Sequence, residues 1–543
     1  MQATMQQFPL TITHILRHGS TVVGDTEVAT FDGDGLRRGS FAEVAARAGR
    51  LAAALTRLGV RPGDCVGTFG WNHQEHLEAY YAVPCMGGVL HTLNIRLFAD
   101  QLTYVINHGR DKVVIADAAL VPVLAKLAGE LGSVEHYVVV GDGDASALPG
   151  ALRYEDLLAA EDEGYAWPDL DENSAAAMCY TTGTTGDPKG VVYSHRSVFL
   201  HALSECSGAA FGLSGQDNIL LVVPMFHAMA WGMPYAAWLV GAGLVFPGPY
   251  VQAEPLSRLI ALTRPTFAGA VPTVWTDLLR HSEGASVDLS SLRMVVSGGS
   301  AVPPSLMERF QQRHGVRIIQ AWGMTETSPV AAISFPPAGT PPEKEMTWRA
   351  KTGRPIHGVE FRLCDDAGNV LPWDGAVVGE IEARGPWVTG SYHGVDAVEK
   401  FHDGWLRTGD VGTIDPLGFV QITDRAKDVI KTGGEWISSV ELENHLMGHP
   451  AVLEAAAVGV VDERWGERPL ACVVLRDGTQ AGPEQLAEYL SAKVARWWVP
   501  ERWAFIDAIP KTSVGKFDKK ALRARYTSGD LPVEILPVSG PVR

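Results

Sequence analysis

The run Tyr180 to Gly190, YTTGTTGDPKG, constrains this chain more than any other segment. Four threonines, three glycines and Lys189 fall within eleven residues. Backbone N–H groups, hydroxyls and one cation are thereby free to surround a polyphosphate. Apolar stretches flank the run, Ala175 to Cys179 before it and Val191 to Tyr193 after it. The spacing therefore predicts a long loop joining two strands. A plain hairpin turn needs only about two to four residues. Nor is the run a Walker A motif, because Lys189 is followed by Gly190 rather than by Ser or Thr. The nucleotide chemistry implied is not that of an ordinary P-loop ATPase or kinase.

At 543 residues the chain exceeds one compact core, and roughly two to four domains or subdomains are expected. A net charge of −17 argues against nonspecific binding to nucleic acid or to an anionic membrane. The cysteines, Cys65, Cys85, Cys179, Cys206, Cys364 and Cys472, are scattered without CxxC or Cys/His ligand spacing. That argues against a disulfide framework or a structural zinc site and fits a reducing compartment. The N-terminus lacks the basic-then-apolar order of a signal peptide, and no apolar stretch is long enough to span a bilayer. A cytoplasmic protein is expected, which would capture any lipid substrate from solution or from a membrane surface.

Helix-like and strand-like segments alternate through the first half. Val44, Leu51, Leu55 and Leu58 share a helical face that ends at Gly59. Short apolar runs follow at 113–116, 137–140, 219–223 and 294–296. This alternation predicts layered α/β architecture with much parallel sheet. From about Gly358 to Val420 short strands and turns dominate. After Asp424 the pattern reads as a small α+β domain, with strands at 455–461 and 470–475. Leu486, Leu490, Val494 and Trp497 fit one helix face there, and the tail from Thr527 is expected to fray.

Further segments carry chemistry. In Ala321–Thr327, AWGMTET, Trp322 offers an aromatic face, Thr325 a hydroxyl and Glu326 a hard oxygen for Mg²⁺. In Trp405–Asp410, a carboxylate after Gly409 suits the two hydroxyls of a ribose. Asp424–Asp428, DRAKD, is followed by Lys431, Thr432, Gly433, Gly434, Glu435 and Trp436. It would ordinarily be a solvated charged run, but its place between two domains suits a hinge. Lys516, on the loop PKTSVGK, is a point charge able to neutralise a phosphoryl centre. His227 lies in apolar company, where a core histidine is the default. Met225, Met229, Trp231 and Met233 read equally as core or as an adaptable wall for an aliphatic chain.

In this order, and over about Phe41 to Lys520, these segments resemble the adenylate-forming superfamily of acyl-CoA synthetases, peptide-synthetase adenylation domains and beetle luciferases. VVPMFHAMAWGMPYA, WGMTETSPV, KDVIKTGGEWISS and ENHLMGHP look most like its medium- and long-chain fatty acyl-CoA synthetase branch. The resemblance implies an α/β fold. A large N-terminal domain, residues 1–424, would hold two layered α/β subdomains plus a β-barrel-like subdomain. A small mobile α+β C-terminal domain, residues 425–543, would follow. It implies ATP, Mg²⁺ and CoA, with a fatty carboxylate converted to acyl-AMP and then to a thioester.

Residue roles follow from matched positions. Thr181, Thr182, Gly183, Thr184, Thr185, Gly186 and Lys189 would hold the β- and γ-phosphates. Thr184 and Glu326 would serve Mg²⁺, and Thr325 the α-phosphate. Gly298, Gly299, Ser300 and Trp322 would frame adenine, and Gly323 would also belong to the cofactor-binding set. Asp410 and Arg425 would hold the ribose. Lys516 would bridge carboxylate and α-phosphate, and His227 would orient the carboxylate. Lys431, Gly433, Gly434, Glu435 and Trp436 would line the pantetheine tunnel, Lys427 would mark the hinge, and Trp231 would gate the acyl tunnel. Trp322 stands where many relatives carry tyrosine, a change that preserves stacking. A homodimer through the N-terminal domain is also implied. Alternatives are a ligase for a short, branched, aryl or sulfur-containing acid, a fatty acyl-AMP ligase loading a carrier protein, and a nonenzymatic nucleotide-binding protein.

Overall fold

The computed structural model describes residues 1, 3–181, 187–432, 435–511 and 517–536. Short runs such as Met294–Ser297 and Phe267–Ala270 are apolar on both faces and become strands of parallel sheets covered by helices. One seven-stranded sheet runs Leu152–Arg153, His136–Val140, Asp111–Asp117, Cys65–Phe69, Val89–Thr92, Ala175–Thr181, Lys189–Ser194. Only the last pair is antiparallel. A nine-stranded sheet has Gly243–Phe246 on one side of Asn218–Leu221 and Phe267–Ala270, Met294–Ser297 and Ile318–Gly323 on the other. In each sheet the chain first steps to one side and then crosses to the other. The second sheet thus has a topological switch point between Asn218–Leu221 and Phe267–Ala270, and open α/β sheets bind ligands beyond the carboxyl ends at such points.

The helix Phe41–Arg57 shows how local sequence sets the layers. Ser40 caps it with Glu43 in a reciprocal box, and Val44, Leu51 and Leu55 are buried beneath it. Asn72 then joins the two sheets. Its amide donates to the carbonyls of Leu221 and Val223 at 2.7 and 2.8 Å and accepts from the Met225 N–H at 2.7 Å.

An antiparallel sheet of Glu360–Cys364, Gly379–Arg384, Trp405–Ile414, Phe401–His402 and Val420–Arg425 follows. A six-stranded sheet with the helices Ser439–Met447, Pro483–Ser491 and Lys519–Ser528 ends the described chain. Two expectations are corrected here. The helix at 486 stops at Ser491, and Val494 and Trp497 reach the same core from the segment beyond it. The tail does not fray at Thr527. Helix continues to Ser528, and Val533–Ile535 pairs with Arg502–Phe505, satisfying an edge that would otherwise be open. Among the described residues, no helix is long and apolar enough to cross a membrane.

Candidate active site

The candidate phosphate loop is flanked by an antiparallel strand pair, Ala175–Thr181 and Lys189–Ser194, as the apolar stretches around it predict. Tyr180 lies opposite Gly190 and Thr181 opposite Lys189. Tyr180 Oη is 2.6 Å from His108 Nδ1, and the His393 N–H donates to the Gly190 carbonyl at 2.9 Å. Thr182, Gly183, Thr184, Thr185 and Gly186 lie outside the described residues, as do Gly433, Gly434 and Lys516.

Lys189 Nζ sits 5.1 Å from the Tyr392 ring centre and 3.9 Å from Glu399. The Tyr392 hydroxyl donates to Glu326 Oε1 at 2.7 Å. Glu326 belongs to a short 3₁₀ turn, Thr325–Thr327, that follows the strand Ile318–Gly323. That turn is clamped from outside. Tyr193 donates to the Thr325 carbonyl at 2.7 Å, and the Thr389 N–H to the Glu326 carbonyl at 2.8 Å. Gly323 is required here, because a Cβ would stand 1.9 Å from the Pro329 carbonyl oxygen. The structure thus brings Lys189 and Glu326 together through Tyr392, a residue that sequence reading missed.

A second cluster lies beside the first. The Trp322 indole N–H donates to Asp410 Oδ2 at 2.8 Å, and Arg425 Nε is 3.1 Å from Asp410 Oδ1. Asp410 and Arg425 face each other across adjacent strands, and Asp410 is buried. The Asp410 carboxylate holds the Arg425 guanidinium above its ordinary value despite partial burial, with Glu326 adding to the effect. Trp322 thus does more than present a face: it fixes the carboxylate assigned to the ribose. Gly298, Gly299 and Ser300 follow the strand Met294–Ser297.

The segment after Asn218–Leu221 leaves the switch point of the second sheet. His227 is half-buried, and its N–H donates to the Pro224 carbonyl at 3.0 Å. Ala228, Met229, Ala230 and Trp231 then adopt φ of 43°, 54°, 52° and 60°. Four consecutive non-glycine residues in the left-handed region cost on the order of 1–2 kcal/mol each, so surrounding contacts must hold the turn. Met225, Met229, Trp231 and Met233 are buried. The Trp231 ring comes within 3.3 Å of where a Gly298 Cβ would stand and 3.4 Å of the Gly269 position. The acyl-gate candidate therefore abuts the candidate adenine strand.

The charged run 424–428 is not simply solvated. Asp424 is buried and accepts the Ser439 N–H at 2.8 Å, while Asp428 pairs with Arg523 at 2.9 Å. Lys427 lies between Arg425, which faces Asp410 across adjacent strands, and Asp428, which pairs with Arg523 on the helix Lys519–Ser528. Partial burial, with Arg425, Arg523 and Lys400 nearby, pushes its ammonium below the ordinary value despite Asp428. Lys431 lies on the strand Ile430–Thr432, where its N–H donates to Glu467 at 2.9 Å. Glu435 and Trp436 form the paired strand that runs back to Ile437.

Folding also gathers Cys364, Glu382 and His402 with ligand atoms within 4.8 Å of one another, a set that spacing along the chain hides. Arg362 already occupies it, 2.6 Å from Glu382 and 2.9 Å from His402 Nδ1. A guanidinium there opposes a metal cation.

Residues 18–393 match the AMP-binding enzyme family and residues 441–516 the AMP-binding enzyme C-terminal domain. A long-chain-fatty-acid–CoA ligase of Thermus thermophilus is 46% identical over 96% of this chain and 97% of its own. A 3-methylmercaptopropionyl-CoA ligase of Ruegeria lacuscaerulensis is 43% identical over 97% and 99%. The crystal structure of an anthranilate CoA ligase in complex with anthranoyl-AMP superposes with a TM-score of 0.88 at 28% identity, over 97% of this chain and all of that one. The chain belongs to the AMP-binding enzyme family, with a large N-terminal and a small C-terminal domain. It is an AMP-forming acid–thiol ligase, using ATP to join a carboxylic acid to CoA.

Proposed function

We propose that the acid is a medium- or long-chain fatty acid. The observation that carries this reading is the buried wall of Met225, Met229, Trp231 and Met233 at the switch point, next to Gly298. Flexible thioethers and one large ring suit a straight aliphatic chain. The 46% identity to a long-chain ligase supports it.

In this reading the acid carboxylate attacks the α-phosphorus of ATP and pyrophosphate leaves. The CoA sulfur then attacks the acyl carbonyl and AMP leaves. Lys189 and the loop 181–186 neutralise the outer phosphates. Thr325 faces the α-phosphate, and Asp410, fixed by Trp322 and Arg425, accepts the ribose hydroxyls. Glu326 is a hard oxygen donor suited to Mg²⁺, with Thr184 as its second ligand; the metal would screen phosphate charge. His227 orients the carboxylate, and Lys516 bridges it to the α-phosphate. Catalysis of this step is positioning plus charge neutralisation. We place the domain boundary at Asp424/Arg425 and the hinge at Lys427. Rotation there would withdraw Lys516 and present 431–436 to pantetheine.

A second reading, a short sulfur-containing acid, is supported by the 43% identity to the 3-methylmercaptopropionyl-CoA ligase. Mass-spectrometric detection of thioesters from a panel running from propionate to long-chain acids, with benzoate and methylthiopropionate, separates the two. A maximum at medium or long chains supports the first reading. A maximum at methylthiopropionate replaces it with the second, and acyl-AMP without thioester points to a carrier protein.

A further inference from the structure

The two strands that bracket the candidate phosphate loop are tied to different parts of the chain, and the two ties meet. On the first strand, Tyr180 Oη is 2.6 Å from His108 Nδ1, near the end of the helix Ala99–Gly109. On the second, the Gly190 carbonyl accepts the His393 N–H at 2.9 Å. His108 and His393 join these ties, with ring centroids 5.3 Å apart and planes at 85°. His108 Nε2 is 3.1 Å from where a Gly394 Cβ would stand, and Gly394 has φ 62°. Gly190 closes the circle, because a Cβ there would stand 3.0 Å from Tyr180 Cζ and 3.3 Å from His393 Cβ.

Burial pushes the Tyr180 phenol up, so it keeps its proton and donates. Partial burial, with His393 and His91 nearby, holds His108 below its ordinary value. Nδ1 of the neutral ring accepts the bond, and the ring proton sits on Nε2. His91 packs against the Tyr180 ring at 5.0 Å between centroids, and the buried Asp111 anchors His91 at 2.8 Å. Tyr180 is thus packed along its ring and bonded at its tip. One residue before His393, the Tyr392 ring faces Lys189 Nζ and its hydroxyl donates to Glu326. A single segment, 392–394, therefore meets the Gly190 backbone, the Lys189 ammonium, Glu326 and His108.

We propose that His108 and Tyr180 are positioning residues for the strand ends Thr181 and Lys189, and through them for the outer phosphates of ATP and for pyrophosphate. Both act through Lys189 rather than on the reacting atoms. Thr181 follows Tyr180 and lies opposite Lys189, so fixing the phenol fixes the register at which Lys189 enters the site. The ribose and the acid are held elsewhere, by Asp410 and by the wall around Trp231. The role therefore belongs to adenylation and its reversal, and not to transfer of the acyl group to CoA. It rests on the assignment of Lys189 to the outer phosphates.

Pyrophosphate–ATP exchange, calorimetric AMP binding, and thioester formation from preformed acyl-AMP and CoA test it together, with whichever acid the thioester panel favours. Tyr180→Phe removes one hydroxyl and keeps the ring. It should raise KM for ATP and for pyrophosphate about threefold to tenfold, the loss of one neutral hydrogen bond. AMP affinity and the rate from acyl-AMP should stay within about twofold. His108→Leu should reproduce this pattern and add little to Tyr180→Phe in the double variant. His108→Asn, whose amide oxygen can take the place of Nδ1, should recover most of the loss. Tyr180→Phe alone decides the matter if His108→Leu does not fold. Unchanged constants for ATP and pyrophosphate overturn the proposal, as does an equal loss of AMP affinity, which a merely structural role would give. Lys189→Ala reads the underlying assignment: it should raise the same two constants. An effect there with none in Tyr180→Phe refutes the positioning role alone, and no effect there refutes the assignment and the proposal with it.

Discussion

Trp322→Phe removes one hydrogen-bond donor and leaves an aromatic face. The indole N–H is 2.8 Å from Asp410 Oδ2, and Asp410 is 4% exposed. A hydrogen bond to a charged acceptor contributes about 1.5–3 kcal/mol. Arg425 remains 3.1 Å from the other oxygen, and the half-buried indole site admits water, so the lower end of that range applies. About 1.5 kcal/mol corresponds to roughly tenfold in affinity. The contact orients a carboxylate for the ribose, which the substrate and transition state share, so the loss belongs in KM for ATP with kcat within about twofold. Steady-state thioester formation at saturating acid and CoA measures both constants, and calorimetric AMP binding checks the affinity directly. Unchanged ATP and AMP affinities in Trp322→Phe would refute the idea that the indole N–H positions Asp410.

Gly323→Ala would drive a Cβ to 1.9 Å from a carbonyl oxygen, so chemical denaturation should show a loss of at least about 2 kcal/mol, with activity falling together. Tyr392→Phe strips a 2.7 Å donor from Glu326 and should shift the Mg²⁺ titration of activity several-fold with little change in melting temperature. Trp231→Ala should flatten the chain-length profile and leave short acids as substrates; identical profiles in variant and parent would count against a gate. Burial holds the Glu205 carboxyl well above its ordinary value. With the folded pKa above the unfolded one, its contribution is fully present below about pH 4.5 and lost as pH rises. Glu205→Gln should therefore gain stability relative to the parent between pH 5 and pH 8 in denaturant melts, and parallel curves would contradict this.

The loop at 180–190, the alternation of the first half and the β-rich stretch from Gly358 were legible because each is a local pattern. The paired residues Asp410 and Arg425 were named for one ligand, and strand register places them opposite each other. What stayed hidden is long-range. Tyr193, Trp387 and Tyr392 reach Thr325, Val330 and Glu326 respectively from distant strands and loops, and no spacing rule finds them. His201 and Glu205 sit one turn apart on a helix, a polar pair with no motif around it, and only burial singles them out. Asp424 reads as part of a solvated charged run until Ser439 is seen to donate to it. The tail strand at Val533 was missed because its Pro- and Gly-containing composition speaks for fraying, while the unpaired edge of Arg502–Phe505 overrides it.

Every role proposed above depends on activation of the carboxylate by adenylation. Decanoate labelled with ¹⁸O in its carboxyl group, turned over with ATP and CoA, reports it directly. One ¹⁸O is expected in the phosphate of the AMP formed, with unlabelled pyrophosphate. Label recovered in inorganic phosphate, accompanied by ADP, would contradict it.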